Sequence, residues 1–276
     1  MQVDSIITNT ITDEIRQKGH QSIRFSADGC SVLICDASFI PVYLKHFTFP
    51  SPVSVPVQAE TYRRILETQD LFRFYGETVF ISDTMAATLV PDPYFDETQK
   101  ELLLRTSNTV TEEEIVFSRQ LKNRSEHIVY SFPEHLHSLS ENFQHGVKVL
   151  HAGECMISLS DQVPASEHQR GFMLTEVQKN KMEILVIKGD NIILSNRYRL
   201  KDPSHYLYHT LNTFKQLHLD RERVPLYVAG NYEDGDPGGF IRKYIRKVEP
   251  VPYFLEGTTM QEKLQFLILS EAMKCA

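Results

Sequence analysis

The residues best suited to bind a metal ion are five histidines in the middle of the chain, because imidazole nitrogens are good zinc ligands. They are His127, His135, His137, His145 and His151. His135 and His137 lie two residues apart on a predicted helix, so their side chains splay by roughly 200° and cannot face one ion. The spacing therefore indicates structural histidines that are solvated or hydrogen-bonded.

Two other segments have only part of a metal-binding pattern. His205 and His209 lie one helical turn apart, but no glutamate stands between them as in the H-E-x-x-H motif. The segment Glu233-Asp234-Gly235-Asp236 resembles a fragment of a calcium loop, yet it lacks the regular oxygen ligands and the closing bidentate glutamate. A turn followed by a helix N-cap explains this acidic segment, and we expect no metal site.

Nucleophilic and dinucleotide chemistry lack a recognisable motif, since the sequence contains no G-x-S-x-G elbow, Walker loop or G-x-G-x-x-G. Gly153-Glu154-Cys155 could present a thiol, but without a placed base it is predicted to start a buried helix. Cys30 and Cys35 are an odd number of residues apart on one predicted strand, so they point to opposite faces. We expect reduced, structural thiols.

Composition excludes several classes of function. The net charge of -7 and a pI near 5.9 argue against a sequence-independent grip on nucleic acid, which needs clustered Lys and Arg. The apolar runs fall far short of the roughly 20 residues that cross a bilayer, and the first residues lack the features of a secretion signal. The sequence therefore predicts a cytoplasmic protein with no membrane span and no nucleic-acid partner.

The elements that would position any site form two similar halves. The first half is predicted to contain, in order, strands at 23–25, 30–35 and 39–47, a helix at 62–69 and a strand at 78–81. The same order returns about 150 residues later, with strands at 172–177, 182–187 and 192–199, a helix at 207–217 and a strand at 226–229. Asp28-Gly29 is a strong hairpin signal, and Asp202-Pro203 is a good helix start.

Further elements are predicted around these two units. A helix at 96–104 and a hairpin of 114–120 with 127–132 are read as an insertion, and Pro133 opens another helix. Asp236-Pro237 is predicted to cap a helix with Ile241, Tyr244, Ile245 and Val248 on its core face. Hairpins combined with strand-helix-strand connections predict mixed sheets in an N-terminal lobe of 1–165, which carries the insertion, and a C-terminal lobe of 166–276.

This doubled order resembles the actin-like ATPase fold. The whole chain, including its Ala27-Asp28-Gly29-Cys30 turn, is similar to an uncharacterised bacterial family assigned that fold. The resemblance implies an α/β protein with two actin-like, ribonuclease H-like lobes. Each lobe would be a mixed sheet that opens with three consecutive antiparallel strands and is flanked by helices.

The resemblance also implies where a nucleotide would bind. Active members cradle phosphates with two glycine-containing hairpins, one in each half, where backbone amides and a carboxylate-held metal meet the phosphates. In the first hairpin Asp28 directly precedes Gly29, whereas the ATPases have an Asp two residues before the Gly. The second hairpin, 177–182, has Lys179 and Lys181 and neither Asp nor Gly. Both hairpins therefore depart from the phosphate-binding pattern.

A third part of the nucleotide site would be Gly230, which follows the last strand of the second half and is similar to the adenosine-contact turn. The departures favour a non-catalytic interaction or scaffold protein that uses no cofactor. Its partner would be an unknown protein or a second copy of the chain. The alternative is an ATP-binding switch or ATPase with magnesium, in which Lys179 and Lys181 supply charge where glycine amides would serve. An enzyme without a recognisable motif is the third candidate.

Overall fold

The protein forms two compact units. The computed structural model describes residues 2–26, 29–49, 55–178, 180–230, 241–253 and 259–276. One unit is Met1–Glu154 together with Leu269–Ala276, and the other is Cys155–Ile268. The first unit is therefore assembled from two separate stretches of chain. The lobe bounds of 1–165 and 166–276 stay a prediction about how the actin-like halves divide.

The strands of the first unit form one mixed sheet and one small antiparallel sheet. They are β1 (Gln2–Thr8), β2 (His20–Ser26), β3 (Gly29–Cys35), β4 (Pro41–Thr48), β5 (Glu77–Ser82), β6 (Ala87–Pro91), β7 (Glu114–Gln120), β8 (Glu126–Pro133) and β9 (Lys148–His151). The large sheet has the order β1-β4-β3-β2-β5-β9 and the small one β6-β8-β7. Pairing is antiparallel from β1 to β2 and parallel from β2 to β9.

The strands of the second unit form one mixed sheet. They are β10 (Phe172–Gln178), β11 (Lys181–Lys188), β12 (Asn191–Arg199), β13 (Leu226–Gly230) and β14 (Val248–Pro250). The order is β12-β11-β10-β13-β14, with antiparallel pairing across the first three strands and parallel pairing across the last three. Each unit thus has three consecutive antiparallel strands followed by a parallel one, which confirms the predicted repeat.

Helices lie between and after these strands. In chain order they are α1 (Asp13–Lys18), α2 (Val55–Thr68), α3 (Lys100–Arg105), α4 (Glu134–His137), α5 (Ala152–Ser160), α6 (Ala165–Arg170), α7 (Pro203–Gln216) and α8 (Met260–Cys275). The Asp202 carboxylate accepts a hydrogen bond from the Ser204 amide at 2.8 Å and caps α7, as predicted. None of the helices within the described residues has the length and apolar character needed to cross a bilayer.

The predicted helix with Ile241, Tyr244, Ile245 and Val248 on its core face is wrong, and Tyr244 is 45% exposed. Within the described stretch 241–253, a short 3-10 turn forms at Ile241–Lys243, and Val248 begins β14, where it pairs with Leu226 of β13. Pro250 favours the extended end of this segment, because the residue before a proline, here Glu249, is disfavoured in the helical region. The Asp236-Pro237 cap lies outside the described residues.

Aromatic and aliphatic side chains form a separate core in each unit. In the first, the Phe25 ring packs edge-on against Tyr62 of α2 and Phe80 of β5, with both centroid distances at 5.0 Å. In the second, Leu211 of the predicted apolar stripe packs against a buried cluster that includes Phe214 of the same helix. The helix that follows the three antiparallel strands therefore covers one face of its own sheet in both units.

Candidate functional site

The first hairpin joins β2 to β3 and contains two of the candidate residues. The structure describes Gly29, whereas Asp28 lies outside the described residues. Gly29 is opposite Ser26 on β2 and Thr48 on β4. A Cβ added to Gly29 would lie 1.9 Å from the Phe47 carbonyl oxygen, so only glycine lets the β4 backbone come this close. The need for glycine at this position is explained by strand packing.

Tyr62 of α2 holds the stem of this hairpin. Its hydroxyl donates to the Ser26 carbonyl oxygen at 2.5 Å and lies 3.1 Å from the Gly29 carbonyl oxygen. The Ser26 hydroxyl donates to the Gly29 carbonyl oxygen at 2.9 Å. Tyr62 is only 1% exposed. The polar groups on both sides of the turn are therefore engaged by the protein itself.

The second hairpin joins β10 to β11 and contains the two candidate lysines. The structure describes Lys181, whereas Lys179 lies outside the described residues. Lys181 is half-buried and is opposite Gln178 on β10 and Arg199 on β12. The carbonyl oxygen of Asn180 in the turn accepts a hydrogen bond from the Leu200 amide at 2.7 Å. This hairpin is thus anchored to the chain that leaves the neighbouring strand.

The strand registers make Lys181 the counterpart of Gly29. Gly29 is opposite the last residue of β2 and the last residue of β4. Lys181 is opposite the last residue of β10 and the last residue of β12. The second unit therefore has a long cationic side chain where the first unit has no side chain at all.

Gly230 ends β13 next to the second hairpin, opposite Val177 of β10. Its φ is +100°, and an added Cβ would lie 2.0 Å from the Val177 carbonyl oxygen. Val177 directly precedes Gln178, which pairs with Lys181. The fold therefore brings Gly230 and Lys181 to the same end of one sheet. As at Gly29, the space beside the glycine is filled by the chain's own backbone.

A row of polar side chains crosses the sheet of the first unit, two residues along β2 and β3 from the hairpin turn. This polar row was not predicted from the sequence. Arg24 of β2, Ser31 of β3 and His46 of β4 are successive cross-strand neighbours. Arg24 donates to Asp83 at 2.8 Å, with both side chains 5–6% exposed. The Ser31 hydroxyl is 2.8 Å from His46 Nδ1. The available signal was the charge of Arg24 between the apolar residues Ile23 and Phe25.

The second unit has a polar row at the equivalent positions. Glu176 of β10, Glu183 of β11 and Arg197 of β12 are successive neighbours. The Arg197 guanidinium donates to Glu183 at 2.9 Å, with side chains 8% and 7% exposed. Gln178 donates through its side-chain amide to Glu176 at 2.7 Å. Such buried charges are stable only when paired, so each row requires its partners.

The clustered histidines do not assemble a metal site in the part of the chain that the structure describes, where no three His, Cys, Asp or Glu side chains are placed to hold an ion. Buried His151 instead caps α5: its Nδ1 accepts from the Gly153 amide at 2.9 Å. The Nε2–H therefore donates to the Thr84 carbonyl oxygen at 3.1 Å. His151 serves as a structural, neutral imidazole in this arrangement.

The two thiols of β3 are poorly suited to nucleophilic chemistry. Burial raises the pKa of the Cys30 thiol, which directly follows Gly29, far above its usual value. Burial, with a smaller contribution from the Asp36 carboxylate, raises the pKa of Cys35 to about 12. Since the thiolate is the reactive form, both side chains act as apolar core groups at neutral pH.

Solved structures with a similar fold include one that is described as having an actin-like ATPase fold. A Bacteroides thetaiotaomicron protein with actin-like ATPase fold and unknown function matches with a TM-score of 0.79 and 19% identity, over 97% of this chain and 100% of that one. A PilM-PilN type IV pilus biogenesis complex matches with a TM-score of 0.61 and 12% identity, over 94% and 98% of the chains. The ethanolamine utilization protein EutJ from Carboxydothermus hydrogenoformans matches with a TM-score of 0.51 and 12% identity, over 97% and 91%.

These likenesses establish the fold: an α/β actin-like ATPase fold with two mixed sheets flanked by helices. None of the curated proteins matches the sequence. A family model described as protein of unknown function (DUF3822) matches residues 8–248. With the match covering most of the chain and the fold agreeing with the predicted resemblance, the protein belongs to the DUF3822 family.

Proposed function

We propose that this protein is a non-catalytic interaction or scaffold protein, in which the two actin-like hairpins no longer carry nucleotide chemistry. The observation that supports this most directly is Lys181 in the position that Gly29 has in the first unit. Close approach of a backbone to a phosphate is the reason for glycine in such hairpins. A half-buried lysine side chain at this position works against that approach.

The two remaining glycines give the proposal further support. The space beside Gly29 is filled by the Phe47 carbonyl oxygen, and the space beside Gly230 by that of Val177. Both glycines thus have a structural reason that needs no ligand. On this proposal no cofactor binds, and the chain acts through a protein partner or a second copy of itself. One structure with a similar fold is named as a complex, PilM-PilN, which makes a protein partner a natural first test.

An ATP-binding switch is the second candidate, because Lys181 places a cation at the hairpin end of the sheet beside Gly230. In this candidate the positive charges of Lys179 and Lys181 would bind the phosphates, in place of the backbone amides of a glycine-containing hairpin. Asp28, Gly29 and Gly230 would complete the site. The candidate requires measurable binding of ATP with magnesium.

Thermal unfolding of the full chain with increasing Mg-ATP separates the two candidates. The proposal predicts no change in Tm, whereas a ligand at 100 times its Kd would stabilise the folded state by about 2.7 kcal/mol. A rise in Tm that is lost in Lys179→Ala/Lys181→Ala would establish the ATP-binding alternative. Lys188→Ala is the matched control, since Lys188 is exposed at the opposite end of β11.

The partner is sought by affinity capture from the native cell, followed by size determination of the purified chain alone. We expect a recovered protein that reassembles with the purified chain in a defined ratio. Repeated capture without such a partner, together with a monomeric chain at all concentrations, would contradict the scaffold proposal.

A further inference from the structure

Two buried polar side chains in the first unit have no hydrogen-bond partner among the described residues. Gln21 is 0% exposed and Thr78 is 4% exposed. Both side-chain amide atoms of Gln21 and the hydroxyl of Thr78 lack a partner. The two residues are directly opposite each other on the parallel strands β2 and β5. Three polar atoms that need hydrogen bonds are therefore collected at one place in the core.

The second unit shows that the fold does not require polar groups here. The register equivalents of Gln21 and Thr78 are Met173 and Leu226, which are also opposite each other on parallel strands. Both are 0% exposed and belong to the apolar core. The polar pair is thus a specific feature of the first unit, at a position where an apolar pair packs well.

Hydrogen-bond counting indicates the missing partner. The Gln21 amide offers two donor hydrogens and an acceptor oxygen, and the Thr78 hydroxyl offers one donor hydrogen and accepts as well. A direct bond between the two side chains would engage only one of the two amide atoms of Gln21. The other atom would stay buried and unpaired, which is unfavourable. A third group that both donates and accepts would satisfy the site.

The surroundings decide the class of ligand. On its other side Gln21 is opposite Ile34 of β3, which is 1% exposed. The polar groups of the pair itself carry no formal charge, so they would not compensate the desolvation of an ion. Water is small, neutral, and both donates and accepts. We propose that Gln21 and Thr78 bind an internal water molecule, which bridges the amide and the hydroxyl between β2 and β5.

Oxygen-17 magnetic relaxation dispersion tests this site, because it detects waters that remain inside a protein for longer than nanoseconds. The full chain is compared with Gln21→Met/Thr78→Leu, which copies the pair of the second unit. The expected result is a smaller dispersion amplitude, by the contribution of a single water, in the variant. Equal amplitudes in the two proteins would overturn the proposal.

A second variant covers the case in which the double substitution does not fold. Thr78→Val keeps the side-chain shape and removes the hydroxyl, and it should reduce the amplitude or shorten the residence time of the water. Thr175→Val is the control, since Thr175 is equally buried but has its hydroxyl 3.4 Å from the Tyr227 carbonyl oxygen. A crystal structure that shows a direct Gln21–Thr78 hydrogen bond and no bridging density would also overturn the site.

Discussion

Tyr62 holds Ser26 in place: the hydroxyl of the helix residue donates to the carbonyl oxygen of the strand residue at 2.5 Å, where β2 ends. The two residues are 36 positions apart in the chain. This bond connects α2 to the stem of the first hairpin, and it is partly buried, with the Tyr62 side chain only 1% exposed.

Replacing Tyr62 with Phe should lower the free energy of unfolding by about 1 kcal/mol, because a buried carbonyl loses its donor while the ring packing is retained. Urea unfolding measures the change. Tyr94→Phe is the control, since Tyr94 is 76% exposed and should have no effect. Equal effects of the two substitutions would show that the tie to Ser26 contributes nothing.

Replacing Gly230 with Ala should cost about 3 kcal/mol or more, because the added Cβ would lie 2.0 Å from a backbone oxygen and force β10 and β13 apart. Gly189→Ala is matched to it: Gly189 also has a positive φ, of +60°, but an added Cβ meets nothing within 4 Å. That control should cost about 1 kcal/mol from conformational strain. Similar costs would mean that the close approach at Gly230 is unimportant.

The buried pair of Arg24 and Asp83 should behave as a unit. Arg24→Met should cost about 3 kcal/mol, because it leaves the Asp83 carboxylate buried without its guanidinium partner. Adding Asp83→Asn removes that charge and should recover a good part of the loss. Urea unfolding of both single variants and the double variant measures the coupling. Strict additivity would contradict a buried ion pair.

Stability at alkaline pH should depend on Tyr227. Burial, followed by the nearby carboxylates of Glu249 and Glu167, raises the pKa of Tyr227 to about 12, from 10 in the unfolded chain. The neutral phenol is therefore favoured in the folded state, and its contribution is complete below pH 10 and lost as the pH rises to about 12. Over this range the protein should therefore lose more stability than Tyr227→Phe does. Parallel losses in urea unfolding would contradict the shift.

The repeat could be predicted from the sequence because its signals are local. Asp28-Gly29 predicts a tight hairpin, Asp202-Pro203 predicts the start of α7, and the apolar runs between them predict strands. β1 has no such local signal and is not predicted. Its side chains are mostly exposed, so its sequence has no alternation of apolar and polar residues. The sequence predicts Val248 in a helix instead of in β14, because the three residues of this strand are too few for a pattern.

The candidate site was less predictable, because its decisive relationships join residues that are distant in the chain. Gly29 needs to be glycine because of Phe47, and that approach appears only once β3 and β4 are in register. Likewise, Lys181 can be identified as the counterpart of Gly29 only from the strand pairing. Single charges such as Arg24 and Glu183 are visible in the sequence, but their partners are not.

The division of the first unit into two stretches of chain has a consequence during synthesis. Leu269–Ala276, the last part of α8, belongs to the unit that begins at the N-terminus. During translation the first unit therefore cannot be completed until the final turns of α8 have been synthesised, although all of its strands are synthesised much earlier. Domains usually fold in the order in which they are translated. Here the second unit can finish first, and the earliest-made unit is the last to be completed.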